Sequence, residues 1–241
     1  MTSPHDEPTL DDVILPEEPV TRDRTQHGKD PHPSDEVLQH RTELERQAVQ
    51  SDDADPALLA LYGVAALLMG GFVAVYNAGT FRLEAAPYAL SPALAGLVFL
   101  AYLLGSASSP TAGALAERFG RRLVVPLAIG LMAAGIALTL PAPLWCVVLG
   151  LCVLTTGFFA AHGVASGWVA ARAQLGGRAV GQASSLYSFW YYVGSSVGGT
   201  LAGRAWSDAG WSGVVVLAGG STLAALLLSL VLGRTRSLER R

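Results

Sequence analysis

Inside long apolar stretches of this chain, hydroxyl and aromatic side chains recur every three or four residues, which places them on one face of a helix. Such a face could line an aqueous cavity and bind a polar molecule, or it could hold neighbouring helices together, and the sequence leaves both interpretations open. The faces are Ser184, Tyr187, Ser188, Tyr191 and Ser195 in one stretch, Tyr102, Ser106, Ser109 and Gly113 in a second, and Thr155, His162 and Ser166 in a third.

His162 is the only histidine in these apolar stretches, and its usual pKa range would suit proton coupling. The sequence offers it no carboxylate partner, so a structural hydrogen bond to a neighbouring helix is the favoured interpretation and a proton relay is the alternative. Tyr76 and Asn77 lie near the end of another apolar stretch. They could contact a polar ligand or anchor the helix at the membrane interface.

Glycine and serine residues in the same stretches include a motif that also occurs in serine hydrolases. Gly194 to Gly198 formally matches G-x-S-x-G, but a nucleophilic serine needs a strand-to-helix turn or a histidine on another helix, and His162 shares its helix with Ser166. We therefore expect no catalytic residue and no enzyme. The glycine pairs four residues apart instead favour close helix packing. These are Gly194 with Gly198, and Gly199 with Gly203.

Composition identifies the elements that must position these residues. The chain has 51% hydrophobic residues, 15% charged residues and a mean hydropathy of +0.40, whereas soluble domains carry about 25% charged residues. An integral membrane protein in contact with the lipid bilayer is predicted. Residues 1–55 hold fifteen acidic and five basic residues, so the net charge gives no support to nucleic-acid binding. Cys146 and Cys152 have no neighbouring ligands, and we expect no metal site or cofactor.

The apolar stretches predict an all-α protein with six transmembrane helices. Crossing the hydrocarbon takes about 20 residues, and the 49 uncharged residues from Leu123 to Ala171 are divided by Pro141-Ala142-Pro143. We predict a disordered acidic tail at 1–55, a six-helix domain at 56–233 and a basic tail at 234–241. The expected spans are about 57–81, 91–116, 123–141, 143–170, 179–203 and 210–233.

Arginines orient these spans, because basic residues near span ends are retained on the cytoplasmic side. With the amino terminus inside, nine arginines fall in inner segments, whereas the outer loops carry only Arg82 and Arg204. We expect both termini to be cytoplasmic. The inner arginines are Arg118, Arg121, Arg122, Arg172, Arg178, Arg234, Arg236, Arg240 and Arg241.

The segment G-A-L-A-E-R-F-G-R-R, residues 113–122, is predicted to form a tight loop between the second and third spans. It resembles the loop signature of the major facilitator superfamily, with Glu117 in place of the usual aspartate. Further segments resemble the carboxy-terminal half of bacterial inner-membrane drug and sugar efflux members. They are M-G-G-F-V-A-V-Y-N (69–77), F-L-A-Y-L-L-G-S-A-S-S (99–109), G-F-F-A-A-H-G-V-A-S-G-W-V (157–169) and L-Y-S-F-W-Y-Y-V-G-S-S-V-G-G (186–199).

The resemblance implies a half bundle built as a 3+3 inverted repeat, and export of a small solute in exchange for protons. It also implies a gating role for the loop signature, in which arginines pair with Glu117 and with the carboxyl ends of helices in one conformation and separate in another. The residues concerned are Gly113, Glu117, Arg118, Gly120, Arg121 and Arg122. The alternative is that these arginines only orient the protein.

Members of this family usually have twelve helices in two halves, and the resemblance covers one half. Three explanations follow: a truncated or split gene product, a half that pairs with a separate first-half chain, or a half that forms a homodimer. A non-transporting membrane subunit or an inactive fragment is the alternative function. The substrate, the coupling ion and the direction of transport are not specified by the residues.

Overall fold

The structure is a computed structural model that describes residues 37–42 and 55–234. Residues 37–42 are helical. The predicted acidic tail lies almost entirely outside the described residues, and so does the predicted basic tail apart from Arg234. Between residues 55 and 234 the secondary structure is helical, with no strand in that range. The chain is therefore an all-α protein, as the sequence predicts.

Five helices are long and apolar enough to cross a membrane within the part of the chain that the structure describes. The first and fourth contribute most of the core, which includes Leu68 and Phe72 from one and Leu154 and Phe158 from the other. The five are α1 (Pro56–Glu84), α2 (Pro92–Phe119), α3 (Arg121–Leu138), α4 (Leu144–Leu175) and α5 (Val180–Arg234).

Local sequence explains where the first two helices begin. The Asp55 carboxylate accepts a hydrogen bond from the Ala57 amide at 2.9 Å, and Pro56 occupies the first helical position, where its missing N–H is not needed. Ser91 and Pro92 have the same roles in α2, in which Gly96–Ala101 is a 3₁₀ segment. Both helices start where the sequence predicts.

The loop predicted between the second and third spans is shorter than expected. α2 continues to Phe119 and α3 begins at Arg121, so Gly120 alone separates them, with φ of 88°. Glycine adopts this backbone conformation without the steric penalty of a side chain. Most of the loop signature is therefore helical, because charge marks where the chain leaves the hydrocarbon but does not stop the helix.

The fifth and sixth predicted spans form one helical element, α5, of 55 residues. At 1.5 Å per residue a straight helix would be about 80 Å long, too long for a bilayer. Gly210 interrupts it with φ of 59° and ψ of −145°. We call residues 180–209 the first arm and residues 211–234 the second arm.

Both arms of α5 contact α1, so the chain reverses direction at Gly210. Gly198 in the first arm packs on the backbone of Gly70, and Ser221 in the second arm lies beside Gly71. Helical hydrogen bonding therefore persists up to the turn, although the sequence places a polar connection from Arg204 to Asp208 there. The two arms are therefore two helical segments that meet at Gly210, and they occupy the positions of the fifth and sixth predicted spans.

Burial is uneven among the five helices. In the most apolar 18-residue window of each helix, 61% of the residues are buried in α1 and 56% in α4, but only 17% in α2 and 28% in α5. α1 and α4 are therefore central, and α2 and α5 present much of their surface outward.

Candidate functional site

An aromatic cluster lies between α1, α2, α4 and the first arm of α5. At one end of it, His162 Nδ1 on α4 and the Tyr187 hydroxyl on α5 are 3.0 Å apart. The ring of Tyr191, one turn further along α5, has its centroid 4.7 Å from that of His162. The histidine thus joins two helices through a hydrogen bond and a ring contact.

Stacked rings extend the cluster from His162 to α1. Phe158 lies parallel to His162 with ring centroids 5.8 Å apart, and Phe72 on α1 stacks on Phe158 at 4.0 Å. Phe72 in turn contacts Tyr76 at 4.7 Å and Tyr102 on α2 at 5.6 Å. This chain of rings makes the four helices share one continuous aromatic surface.

Tyr76 is fixed in the cluster by a second interhelical hydrogen bond. Its hydroxyl lies 2.6 Å from Thr155 Oγ1 on α4, and both residues are buried. The ring of Tyr102 packs edge-on against Tyr76, with centroids 5.1 Å apart. Thr155 was placed on the His162 face by its spacing, and the structure adds that it is the partner of Tyr76.

A cavity of about 450 Å³ adjoins this cluster near the end of α1. Tyr76 and Phe99 line it and also belong to the chain of rings. Asn77 and Thr80 supply polar side chains, and Gly199 on α5 forms part of the opposite wall. The cavity therefore brings Asn77 into the neighbourhood of the tyrosines, as a ligand-contacting role would require.

Three predicted serines lie outside the ring contacts of the cluster. Ser106 and Ser188 are exposed, and their hydroxyls donate to the Tyr102 and Ser184 carbonyls of their own helices. Ser184 is partly buried. Of the predicted cavity residues, the structure thus brings together Tyr76, Asn77, Tyr102, His162, Tyr187 and Tyr191.

The cluster offers hydrogen bonding and stacking rather than ionic contacts. In the described residues, His162 has ring and hydrogen-bond contacts with Phe158, Tyr187 and Tyr191. The described residues also contain no group of histidine, cysteine and acidic side chains arranged to hold a metal ion. Such a surface suits a molecule with an aromatic or apolar body and a few polar groups.

The loop signature forms a separate polar cavity of about 360 Å³ between α2 and α4. Gly113, Glu117 and Arg121 line one side, and Gly163 and Gly167 line the other. Gly120 also lies at this cavity. A Cβ at Gly163 would collide with Ser109 Oγ on α2, whereas one at Gly167 would meet no atom within 4 Å.

Two further arginines of the loop signature, Arg122 and Arg118, do not line this cavity. Arg122 Nη1 donates a 2.9 Å hydrogen bond to the Gly233 carbonyl in the last turn of α5, where helix carbonyls carry partial negative charge. Arg118 is exposed, and its guanidinium lies 5.2 Å over the Phe119 ring. The signature therefore contacts the end of α5 through Arg122.

A carboxylate that the sequence did not single out ties α1 to α4 and α5 at the same end. Asp55 accepts hydrogen bonds from Arg172 Nε at 2.9 Å and Arg172 Nη2 at 3.1 Å, and from Arg178 Nη1 at 2.5 Å. Burial would raise the pKa of Asp55, but the hydrogen bonds from Arg172, the Ala57 amide and Arg178 outweigh it and lower the pKa to about 2. The Asp-Pro helix start was the only local signal for this residue.

At the opposite end of the bundle, Arg82 is buried rather than exposed in a loop. It donates hydrogen bonds to the Thr139 and Pro141 carbonyls and to the Tyr88 hydroxyl, and its guanidinium lies 4.7 Å over the Trp211 ring. The Trp211 indole N–H also donates to the Thr139 carbonyl at 3.1 Å. Arg82 thus joins α1 to the α3–α4 connection and to the second arm of α5.

The glycine pairs differ in what they contact. A side chain at Gly194 or Gly198 would collide with the backbone of Ala66 or Gly70, whereas one at Gly199 would approach Asn77 Nδ2 at 3.2 Å. At Gly203 a Cβ would meet no atom within 4 Å. At Gly203 close packing stays a prediction, because this part of α5 borders the Asn77 cavity.

Comparison with known proteins places this architecture in a family. The sequence model described as the Major Facilitator Superfamily matches residues 56–241. The inner membrane transport protein YnfM of Escherichia coli (strain K12) is 45% identical over 187 residues, which are 78% of this chain and 43% of that protein.

Two further relatives show the same partial coverage. The uncharacterized MFS-type transporter YybF of Bacillus subtilis (strain 168) is 39% identical over 75% of this chain and 44% of its own length. An uncharacterized transporter of Buchnera aphidicola subsp. Schizaphis graminum (strain Sg) is 37% identical over 74% of this chain and 42% of its own length. The chain thus spans less than half the length of these curated relatives.

Proposed function

Because the chain belongs to the major facilitator superfamily, we propose that it provides one six-helix half, the carboxy-terminal one, of a secondary transporter that exports a small solute. The aromatic cluster is the observation that carries this proposal. It draws Tyr76, Tyr102, His162 and Tyr187 from four different helices onto one surface, although those helices are distant in the sequence.

The chemistry of the cluster supports an uncharged, amphipathic solute. The spanning parts of the four helices carry no Asp, Glu, Lys or Arg, for example throughout 57–81 and 179–203. A charged solute would lose its hydration without gaining an ionic partner from this half, which is costly in a membrane. An aromatic solute can instead stack on the rings and accept or donate hydrogen bonds at Asn77 and the tyrosine hydroxyls.

Proton coupling is part of the same proposal and is assigned to His162. The imidazole is the titratable nitrogen base of the cluster, and its Nδ1 already has a hydroxyl partner in Tyr187. Solute that displaces the Tyr187 hydroxyl would change the hydrogen bonding of the imidazole, which would link proton binding to solute binding.

A second six-helix half is expected to complete the cavity, either as a separate chain or as a second copy of this one. The length of the relatives supports this expectation, and so does the outward surface of α2 and the first arm of α5, where Ser106 and Ser188 are exposed. The competing proposal is a non-transporting membrane subunit or inactive fragment, which the partial coverage of the relatives also supports.

We further propose that the loop signature gates the transporter on the cytoplasmic side. The hydrogen bond from Arg122 to the Gly233 carbonyl supports a latch, because it can break when the end of α5 moves. Both termini would then be cytoplasmic, in a bacterial inner membrane. The arginine bias of that end supports this location, and so does the similarity to an inner membrane transport protein of E. coli.

The experiment begins with solute binding to the purified chain in detergent. A panel of uncharged aromatic solutes is screened for an increase in thermal stability, since a solute at one hundred times its Kd adds about 2.7 kcal/mol. Solutes that bind are then tested for proton-coupled movement in liposomes, with and without a first-half chain encoded beside this one.

Tyr187→Phe should weaken solute binding, and Tyr192→Phe, on the exposed side of α5, is the matched control. The mass of the particle in detergent tells a single half from a pair. Failure of every solute to bind, together with no transport in the presence of a first-half chain, would favour the non-transporting subunit.

A further inference from the structure

We propose that the groove between α2 and α3 is a binding site for one anionic phospholipid, with an acyl chain in the groove and the phosphate at Arg118. The site is separate from the aromatic cluster and does not depend on transport. The groove encloses about 770 Å³ and is walled by leucines, among them Leu104 and Leu115 on α2 and Leu127 on α3.

The groove lies on the side of α2 that faces away from the aromatic cluster. Leu104 and Ser108 line the groove, and Tyr102 and Ser106 lie two residues earlier in each case. Two residues correspond to about 200° of rotation around a helix, so the two pairs occupy opposite faces. Solute in the aromatic cluster and lipid in the groove would therefore not compete for the same surface.

Hydroxyl groups in the groove are already hydrogen-bonded within their own helices. Ser108 donates to the Gly105 carbonyl at 3.0 Å, Thr111 to the Ala107 carbonyl at 2.7 Å and Thr156 to the Cys152 carbonyl at 2.9 Å. A ligand in the groove consequently meets hydrocarbon and satisfied hydroxyls. This lining suits an acyl chain and disfavours a polar solute, whose own groups would lose water without finding partners.

One end of the groove carries positive charge. Phe119 lines the groove, and the exposed Arg118 guanidinium lies 5.2 Å over its ring. Glu117, the neighbouring carboxylate, lines the separate cavity between α2 and α4 together with Arg121. The charge at the groove end is therefore that of Arg118, and a phosphate there would form a charge-assisted hydrogen bond.

Charge complementarity distinguishes this occupant from a protein. A second copy of the chain could cover the leucines, but none of the acidic residues in the described part of the chain lines the groove, and Glu117 lines the other cavity. An anionic phospholipid supplies both the hydrocarbon and the negative charge, with the spacing between them set by the headgroup. Phospholipid also surrounds the outward faces of helices in a membrane.

Native mass spectrometry of the purified chain tests the headgroup contact. The chain is titrated with phosphatidylglycerol or with phosphatidylcholine of the same acyl chains, and retained lipid is counted. Arg118→Ala should lower the affinity for phosphatidylglycerol about fivefold, the contribution expected of one basic side chain near a membrane surface. Retention of phosphatidylcholine by Arg118→Ala should equal that of the natural chain. Arg204 is an exposed arginine at the other end of the bundle, and Arg204→Ala should retain both lipids as the natural chain does.

A second pair of variants tests the acyl-chain groove. Ala107 lines it, so Ala107→Phe should fill it and reduce retention of both lipids, whereas Ala224→Phe, exposed on the second arm of α5, should not. Equal phosphatidylglycerol retention by the Arg118 and Arg204 variants would overturn the proposal. So would a loss of dimer mass in Ala107→Phe with unchanged lipid retention, which would identify a second copy as the occupant. Arg118 is exposed, so its variant provides the test even where Ala107→Phe does not fold.

Discussion

Arg172 and Asp55 are 117 residues apart in the sequence, yet two hydrogen bonds join the guanidinium in the last turn of α4 to the carboxylate that starts α1. Arg178, just before α5, contacts the same carboxylate. One acidic side chain therefore fixes the ends of three helices. It also caps α1 through the Ala57 amide, so a helix start and a tertiary contact depend on the same two oxygens.

Replacing Asp55 should destabilise the bundle. Asp55→Ala removes the cap and leaves two arginines without their carboxylate, and we expect a loss of at least about 1 kcal/mol, the usual contribution of a cap alone. Asp55→Asn keeps a good capping residue, so the difference between the two variants separates the cap from the ion pairs. Chemical unfolding in detergent measures both. Asp208→Ala, at an exposed carboxylate, is the control, and an equal effect of the two alanine variants would contradict the prediction.

The same carboxylate should make stability depend on pH in a defined direction. Its pKa is lowered from 3.8 to about 2 in the folded protein, so the stabilisation is complete above 3.8 and is lost as pH falls toward 2. The stability difference between the natural chain and Asp55→Asn should therefore be constant at neutral pH and shrink in that acidic window. Unfolding curves over an acidic pH series test this, and a difference that shrinks instead on raising the pH would disprove it.

Arg82 should be more important for stability than its position near a span end suggests. Arg82→Ala removes hydrogen bonds to the Thr139 and Pro141 carbonyls and the contact with Trp211. We expect a loss of roughly 3 kcal/mol, because hydrogen bonds from a charged donor are among the stronger ones. Arg204→Ala should change stability by less than about 0.5 kcal/mol, as exposed substitutions usually do. Chemical unfolding in detergent, followed by circular dichroism, compares the two variants, and similar midpoints would argue against the network.

Two glycines of one helix should respond in opposite ways to alanine. At Gly198 the added methyl would collide with the Gly70 backbone, and we expect a cost of about 1–3 kcal/mol, typical of overpacking. At Gly203 the methyl meets open space, so alanine should be neutral or stabilise the helix by up to about 1 kcal/mol. Thermal unfolding of both variants measures the contrast. Equal destabilisation would mean that Gly203 also packs against a helix.

Glu117 tests the proposed gate. Glu117→Ala should lower solute transport while the protein still inserts into the membrane and folds, because the side chain lines a cavity rather than the core. Arg121→Ala is expected to behave in the same way. Transport in liposomes and membrane-fraction yield are measured together for each variant. A parallel loss of insertion would show that the loop signature has a structural role alone.

Apolar stretches and prolines allowed much of the fold to be predicted from the sequence. Pro56 and Ser91-Pro92 mark helix starts because their effects act within one turn, and Pro141 to Pro143 separate α3 from α4 as expected. The ends were less predictable. α2 runs on to Phe119 and α5 continues to Gly210, because loss of hydrophobicity does not end helical hydrogen bonding. Glycines with positive φ do end it, at Gly120 and Gly210.

The aromatic cluster could be predicted only in part. Spacing placed Tyr187 and Tyr191 on one face and His162 on another helix, but periodicity reports which residues share a face and not which faces meet. The contact between His162 and Tyr187 depends on the packing of α4 against α5. Hydrophobic patterning likewise treats Gly194 and Gly203 alike, although one touches a backbone and the other a cavity.

The sequence by itself therefore determined the membrane class, the helical fold and most helix starts, since these follow from transfer of side chains into hydrocarbon and from capping within one turn. Only the tertiary structure decided that Asp55 binds Arg172 and Arg178, that Arg82 is buried under Trp211, and that four helices share one aromatic surface. Those contacts join residues far apart in the chain. Their energies depend on distances that helix packing sets, and these distances cannot be predicted from the local sequence.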